Sequence, residues 1–324
     1  MAKSPLVVCY GMGRDSTAML VGYWQRGIRP DLIIFADVGA ERQKTYAYLA
    51  IINEWLEFVG FPQVTVVRYE PQNYKHWPHY YTIEENCLTN VTLPSLAYGG
   101  HSCSQKWKIA PQAKFIASWQ PAIDAWAAGE LVTKAVGFED SPHEHRRTKR
   151  CSTFAVQEED ASLVKLVFPL QEWGWNLARC ITEIDAAGLI VPPKSSCYFC
   201  PAMKPWEVDE LPERQLAGIV IIEARTRQRH LDKAEERSWP RGEGVPLIEG
   251  LWRRRVKGMR GATPKPGAMT DYIREKGLLP AEQIDRLIAL TPTSYIKRDD
   301  FTAAGITDWQ DWINRIIAQS KEAA

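Results

Sequence analysis

Leu6-Val7-Val8-Cys9-Tyr10-Gly11-Met12-Gly13-Arg14-Asp15-Ser16-Thr17-Ala18-Met19-Leu20-Val21-Gly22-Tyr23-Trp24 decides the fold. A short apolar run meets a glycine turn, and a helical pattern starts directly behind it. Strand, tight turn and helix N-terminus in that order is how α/β proteins build an anion site. Glycines let the backbone approach, and the first N–H groups of the helix point at the charge. Ser16 and Thr17 add hydroxyl donors. The turn matches neither common nucleotide signature. No Gly-Lys-Ser/Thr closes it as in a Walker loop, and Ser16 stands where the dinucleotide pattern has its third glycine.

Downstream, apolar runs at Leu32–Ala36, Val64–Val67, Leu131–Val136 and Val164–Phe168 read as further buried strands. Thr45 to Val59 reads as a helix with Tyr48, Ile51, Ile52, Trp55 and Phe58 on one face. A second helix is expected from Gln105 towards Trp126, interrupted by Pro111. A third spans Leu177 to Ala187 and is capped by Gly188. Strands alternating with helices imply a mainly parallel sheet covered on both faces, an α/β Rossmann-like domain over residues 1–205. Glu70 to His101 is a long polar and aromatic excursion of the kind that is functional or partly helical. From 206 to 324 the texture becomes helical and basic. Val208–Glu236, Pro280–Leu290 and Asp308–Gln319 are expected helices, Asp308 an N-cap, and Arg241–Pro266 a Gly/Pro-rich basic stretch.

The 324 residues carry a net charge of +1, so no global field favours nucleic acid or a membrane surface. No run approaches the roughly 20 apolar residues of a membrane span, and the N-terminus has no signal-peptide core. A cytoplasmic setting is expected, where seven cysteines are thiols, metal ligands or reactive groups rather than a disulfide frame. The thirteen tryptophans read first as core packing and second as ligand-stacking surfaces.

Four further stretches carry chemistry. Asp37-Val38-Gly39-Ala40-Glu41 follows the second strand, on the sheet edge where open parallel sheets bind ligands. It also reads as a helix N-cap and a first-turn acid. In Cys103-Ser104-Gln105-Lys106-Trp107-Lys108, lysines can lower a thiol pKa or neutralise phosphate; a small core residue beside solvated lysines is the alternative. Gly137-Phe138-Glu139-Asp140-Ser141 follows the fourth strand and leads into Arg146-Arg147-Thr148-Lys149-Arg150, a polyphosphate or nucleic-acid contact or else a solvated run. Cys197-Tyr198-Phe199-Cys200 allows two thiolates to grip one metal, or a redox dithiol. Cys9 and Cys180 sit in strand and helix patterns and read as packing.

In order and placement these motifs resemble the PP-loop family of adenine-nucleotide α-hydrolase-like (HUP-type) proteins. The nearest branch is the phosphoadenosine phosphosulfate reductase-like one, which also holds the DNA phosphorothioation protein of the Dnd system. The family's Ser-Gly-Gly-x-Asp-Ser loop maps to Gly11, Met12, Gly13, Arg14, Asp15 and Ser16; its Asp-Thr-Gly segment resembles Asp37-Val38-Gly39. Its Gly-Ile-Arg-x-x-Glu-Ser loop resembles Gly137–Ser141. Iron–sulfur members carry cysteines before a Lys-x-x-Pro stretch and a later Cys-x-x-Cys, matched here by Cys103 ahead of Lys106, Lys108 and Pro111, and by Cys197 and Cys200. The resemblance covers about residues 5–205.

The resemblance implies an ATP-dependent sulfurtransferase. Gly11, Met12, Gly13, Asp15, Ser16, Thr17, Asp37, Gly39, Gly137 and Phe138 would hold ATP or another adenine nucleotide with Mg2+. Arg14, Asp15, Lys106, Arg146 and Arg147 would act in the reaction. Cys103, Cys197 and Cys200 would bind a [4Fe–4S] cluster, with zinc as the alternative and Cys87, Cys151, Cys180 or His101 as candidate fourth ligands. The expected partners are a nucleic-acid acceptor, contacted through Trp252–Arg260 unless that stretch is a solvated basic helix, and a sulfur-donor protein. Two other readings stand beside it. A sulfonucleotide reductase would need a late nucleophilic cysteine, and the chain has none after Cys200. The other is a non-catalytic nucleotide or nucleic-acid binding module with a structural metal.

Overall fold

A computed structural model describes residues 4–100, 102–157, 163–236, 248–256 and 264–321, without the side chains of 150, 152–157 and 232–236. His101, Arg237, residues 241–247 and residues 257–263 therefore lie outside the described residues, as does the Arg150 side chain. The chain forms two compact units: Met1–Asp37, Glu41–Tyr69 and Trp107–Ser196 make the first, and Val38–Ala40, Glu70–Lys106 and Cys197–Ala324 the second.

The first unit is built on β1 (Leu6–Cys9), β2 (Leu32–Asp37), β3 (Val64–Arg68), β4 (Val132–Val136) and β5 (Val164–Val167). All pairs are parallel and the spatial order is β3-β2-β1-β4-β5. This is the Rossmann-like arrangement expected, and its order reverses between β1 and β4, where such sheets open a crevice beyond their carboxyl ends. Side chains alternate across the sheet. Val8, Ile33, Phe35 and Ala135 join a core with α1 (Arg14–Gln25) and α2 (Gln43–Phe58). Val7, Leu32, Ile34 and Val132 join Ile116 and Ala122 from the helices Ala110–Ser118 and Gln120–Ala127. Burial of each such side chain is worth about 1.5–3 kcal/mol, which is why β1 and β2 are apolar on both sides.

In α1 every residue from Ser16 to Tyr23 is buried, because the helix lies between the sheet and the helix Leu177–Ala186. Gly22 admits that packing, since a Cβ there would come within 2.2 Å of the Trp173 ring. Asn176 caps the Leu177–Ala186 helix through the Arg179 N–H, and Gly188 closes it at φ +75°. The helix expected over 105–126 is interrupted at Pro111 as expected, since Pro111 lies in the first turn of Ala110–Ser118, and it is broken a second time at Trp119. A π-helical turn runs over Gln105–Ile109, and the extended Trp119 ends the helix Ala110–Ser118 and caps Gln120–Ala127, whose first turn holds Pro121. Pro142–Gln157 is a helix that the sequence did not announce.

The second unit is helical. Glu213–Glu236 packs against α3 (Ile83–Thr89), Met269–Glu275, Ala281–Leu290 and Trp309–Lys321. Its start is set by Pro212, which separates it from the short helix Pro205–Asp209 where one continuous helix was expected. The buried Glu223 carboxylate accepts from the N–H groups of Leu251, Met269 and Thr270 and from the Thr270 hydroxyl, so one charge ties three segments together. Asp308 caps the last helix by accepting from the Asp311 N–H at 2.9 Å. Among the described residues no helix is long and apolar enough to cross a membrane.

Candidate functional site

The loop after β1 is held by its own backbone and one serine. The Gly11 N–H donates to Ser16 Oγ at 3.1 Å, and that hydroxyl donates to the Gly13 carbonyl at 3.1 Å. Met12, which stands where the resembling loop has a glycine, takes a left-handed backbone (φ +55°), and its side chain is fully buried in the core. A left-handed non-glycine residue costs roughly 1–2 kcal/mol, which the burial of the Met12 side chain offsets. Gly13 is the N-cap of α1 and provides no side-chain cap, so the first-turn amides are left to another acceptor. A Cβ on Gly13 would come within 2.9 Å of Ser195 Oγ. Ser195 thus stands over the loop, a neighbour that no motif in the sequence marks. Thr17 is turned inwards: it is fully buried, and its hydroxyl pairs with that of Tyr10 at 3.1 Å. The hydroxyls expected to face a ligand are used inside the fold, Ser16 by the loop and Thr17 by Tyr10.

The loop after β4 rests on the start of α1. A Cβ on Gly137 would lie 2.9 Å from both N and Cα of Ser16, so only glycine allows this approach of two backbones. Phe138 stacks on Phe168 with centroids 5.8 Å apart, and the Arg147 guanidinium lies 4.6 Å from the Phe138 ring centre. Arg147 also pairs with the buried Glu144 at 2.7 Å. Asp15 is pushed up to about 6, first by burial and then by Glu139 and Glu144, against the opposing pull of Arg14 and Arg147. The structure therefore brings Arg14, Asp15, Gly137, Phe138 and Arg147 together. Arg146 is exposed on the same helix as Arg147. Glu139 and Glu144 were not singled out by sequence; their signal was their position just behind a strand end.

At the end of β2 the side chains are already engaged. Asp37, 4% exposed, accepts from Tyr46 Oη at 2.7 Å and from Arg68 Nε and Nη2 at 3.0 and 2.8 Å. Glu41 takes Lys108 Nζ at 3.2 Å. Arg42 is the N-cap of α2 and the first turn has no acid, so the capping alternative for Asp37 and Glu41 does not hold.

In the second unit, Gly39 has φ +70°, and a Cβ there would collide with the Thr82 side chain at 2.1 Å. Cys197 and Cys200 share one turn, with the Cys200 N–H donating to the Cys197 carbonyl at 3.1 Å. Between them Tyr198 and Phe199 are buried. The Tyr198 hydroxyl donates to Glu84, which also accepts from Arg214 at 3.4 Å and Gln310 at 3.2 Å. Burial, and then Glu84, pushes the Tyr198 hydroxyl well up. The Cys-x-x-Cys turn is thereby anchored to a buried carboxylate on α3.

Cys103 is half-buried; its N–H donates to Ser95 Oγ at 3.0 Å, and its Sγ is 3.0 Å from the same hydroxyl. Cys87 lies inside α3 with its thiol raised well up, mainly by burial, then by Cys103 and Glu84, with Lys106 opposing. Lys106 donates to Asn86 Oδ1 at 3.3 Å and lies 5.1 Å from the Tyr80 ring centre. Among the described residues, no three His, Cys, Asp or Glu side chains are gathered as for a bound metal ion. The donor chemistry nonetheless suits a thiophilic centre: three half-buried thiols in one unit, two of them on one anchored turn. Cys180 is fully buried and packs in the first unit.

The basic stretch Trp252–Arg260 is described to residue 256. Trp252 is buried and donates to the Met203 carbonyl at 2.9 Å, whereas Arg253, Arg254 and Arg255 are exposed on a turn rather than a helix. No protein-family model matches the chain, and no curated protein matches it.

Proposed function

We propose that the chain is an ATP-using sulfurtransferase of the PP-loop type, with a nucleic-acid acceptor and a thiolate-held [4Fe–4S] centre. The observation that carries the nucleotide part is the approach of the Gly137 backbone to the first turn of α1, beside the uncapped amides behind Gly13. Two strand ends meeting at the reversal of a parallel sheet, with Gly137 pressed on the Asp15–Ser16 backbone and Gly13 opening the helix, form an anion cradle. In this reading the α1 amides hold the phosphates, and Arg14, Arg146 and Arg147 offset charge on the transferring group. Mg2+ enters with ATP, and Asp15 is the carboxylate the loop offers it.

The acceptor oxygen attacks the α-phosphorus and pyrophosphate leaves; a sulfur nucleophile then takes the carbon and AMP departs with the oxygen. Cys103, Cys197 and Cys200 would hold the cluster, and zinc is the other centre this donor set suits. When bound by three thiolates, a [4Fe–4S] cluster supplies one open iron able to carry sulfide. Glu84, Tyr198 and Arg214 fix the Cys-x-x-Cys turn for that purpose.

Anaerobic purification followed by an absorption spectrum and metal analysis tests the reading. A brown protein with iron and acid-labile sulfide in roughly equal amounts, lost in Cys197→Ser, is expected. Colourless, iron-free protein contradicts the sulfur-transfer chemistry. Acceptor-dependent pyrophosphate release from ATP is the matching activity measurement.

A further inference from the structure

The second unit carries groups of rings and cations that neither the nucleotide loop nor the cysteines use. The Arg298 guanidinium lies 5.2 Å from the Trp77 ring centre, and Trp77 meets His79 at 5.1 Å. His79 in turn stacks on Tyr74 at 3.8 Å with 11° between the planes. Beside Trp77, His76 stacks on Tyr295 at 4.0 Å and 13°, and the Arg229 guanidinium lies 6.0 Å from the same Tyr295 ring. The next residue, His230, bonds the Tyr98 hydroxyl through Nε2 at 2.9 Å.

Past Tyr98, the Arg253 guanidinium packs over Gly99, where an added Cβ would be 3.5 Å from it. Arg253 does so from a left-handed backbone, φ +71°, held by its N–H on the Gly250 carbonyl and its carbonyl on the Glu249 N–H. An arginine in that conformation is strained, and such strain persists where the surroundings fix a side chain in place. Burial, and then Lys75 and Arg229, lowers the His76 pKa. Its imidazole is accordingly neutral at neutral pH and sits in a positive field. The rings are not hidden: Tyr295 is 44% exposed and Tyr98 43%.

We infer that this surface binds single-stranded nucleic acid, with bases stacking on Tyr295 and Tyr98 and the strand's phosphates following Arg298 and Arg253. Exposed rings already fixed by a stacked or hydrogen-bonded neighbour lose little freedom when a base covers them, and cations beside the rings can pair with the strand's phosphates. A duplex would use the cations and leave the rings without partners. An acidic peptide would do the same. The inference rests on the proposed acceptor class only for what is done to the strand, not for its binding.

Fluorescence anisotropy of the full chain with a labelled oligothymidylate of roughly fifteen nucleotides, against a duplex of equal length, tests it. The single strand is expected to bind more tightly, and its affinity to fall steeply between about 50 and 200 mM salt. Tyr295→Ala should weaken it about fivefold to a hundredfold, and Tyr295→Trp should restore it. Arg298→Ala should weaken binding and flatten the salt dependence, while Phe58→Ala, an exposed side chain of the first unit, should change nothing. Equal affinity for duplex and single strand, or wild-type affinity in Tyr295→Ala, overturns the inference. ATP titrated into the same sample separates the two ideas. Protein that binds ATP and ignores the strand refutes this surface alone, and protein that binds the strand but does not bind ATP supports the surface and refutes the nucleotide reading.

Discussion

Two ends of the same sheet edge are built differently. Behind β1 and β4, backbone does the work: Gly13 leaves the α1 amides uncapped, Gly137 presses on Ser16, and Asp15 is held near a pKa of about 6 by burial and two neighbouring carboxylates. Behind β2, side chains have already chosen one another, Asp37 with Tyr46 and Arg68, and Glu41 with Lys108. A strand-end acid is therefore not evidence of a ligand contact. The end proposed for the phosphates differs in having backbone polarity left unsatisfied by its own side chains, together with a charge held away from its ordinary protonation.

The largest effect that would break this comparison comes from Gly137→Val. Its Cβ meets main-chain atoms that cannot rotate aside, so a loss of about 3 kcal/mol is expected, measured by urea denaturation. A near-neutral result would mean the two backbones are not bound to each other. Asp37→Ala should cost about 2 kcal/mol by stranding the Tyr46 hydroxyl and part of Arg68. It should raise the Kd for ATP no more than about threefold by the same reasoning, since the carboxylate is already spoken for. A tenfold loss of ATP affinity with unchanged stability would erase the contrast between the two ends.

Asp15→Asn sharpens the contrast through pH. The folded-state pKa of about 6 lies above the ordinary carboxylate value. Wild-type stability is therefore complete at low pH and is lost as pH rises through 6, and asparagine escapes that loss. The variant should be more stable by about 3 kcal/mol at pH 7 and equal to wild type below about pH 4. Chemical denaturation across that range checks the sign; a variant less stable at pH 7 would contradict it. Gly13→Ala is the smallest case. Its Cβ meets the Ser195 hydroxyl, which can turn away, so less than about 1 kcal/mol of stability is expected to be lost.

The strand–turn–helix unit was legible because two signals coincided: a β-rich apolar run and glycines spaced for a turn. The Asp308 cap and the Gly188 stop were legible for the same reason, each being a local rule with a local cause. Other elements hid. Pro142–Gln157 begins Pro-His-Glu-His-Arg-Arg-Thr-Lys-Arg and shows no apolar stripe, so periodicity could not find it. α3 lay inside an aromatic excursion, yet Thr82 and Glu85 form a reciprocal capping box that a search for Thr-x-x-Glu would have found. The Met12 conformation illustrates a third case: the resembling loops place glycine there, and this chain takes a left-handed backbone while using the side chain as a core anchor. Ser195 over Gly13, and Glu84 beneath the Cys-x-x-Cys turn, are contacts between residues far apart in sequence, which no local pattern carries.

The central claim is that the crossing of Gly137 on the first turn of α1 makes the phosphate site. Calorimetric titration of ATP with Mg2+ into wild type and Gly137→Ala, with circular dichroism confirming equal secondary structure, tests it most directly. The account predicts saturable binding by wild type and a Kd raised at least about tenfold in the variant, the equivalent of one lost charge-assisted contact. Equal Kd values in the two proteins, or no binding by wild type, would contradict it.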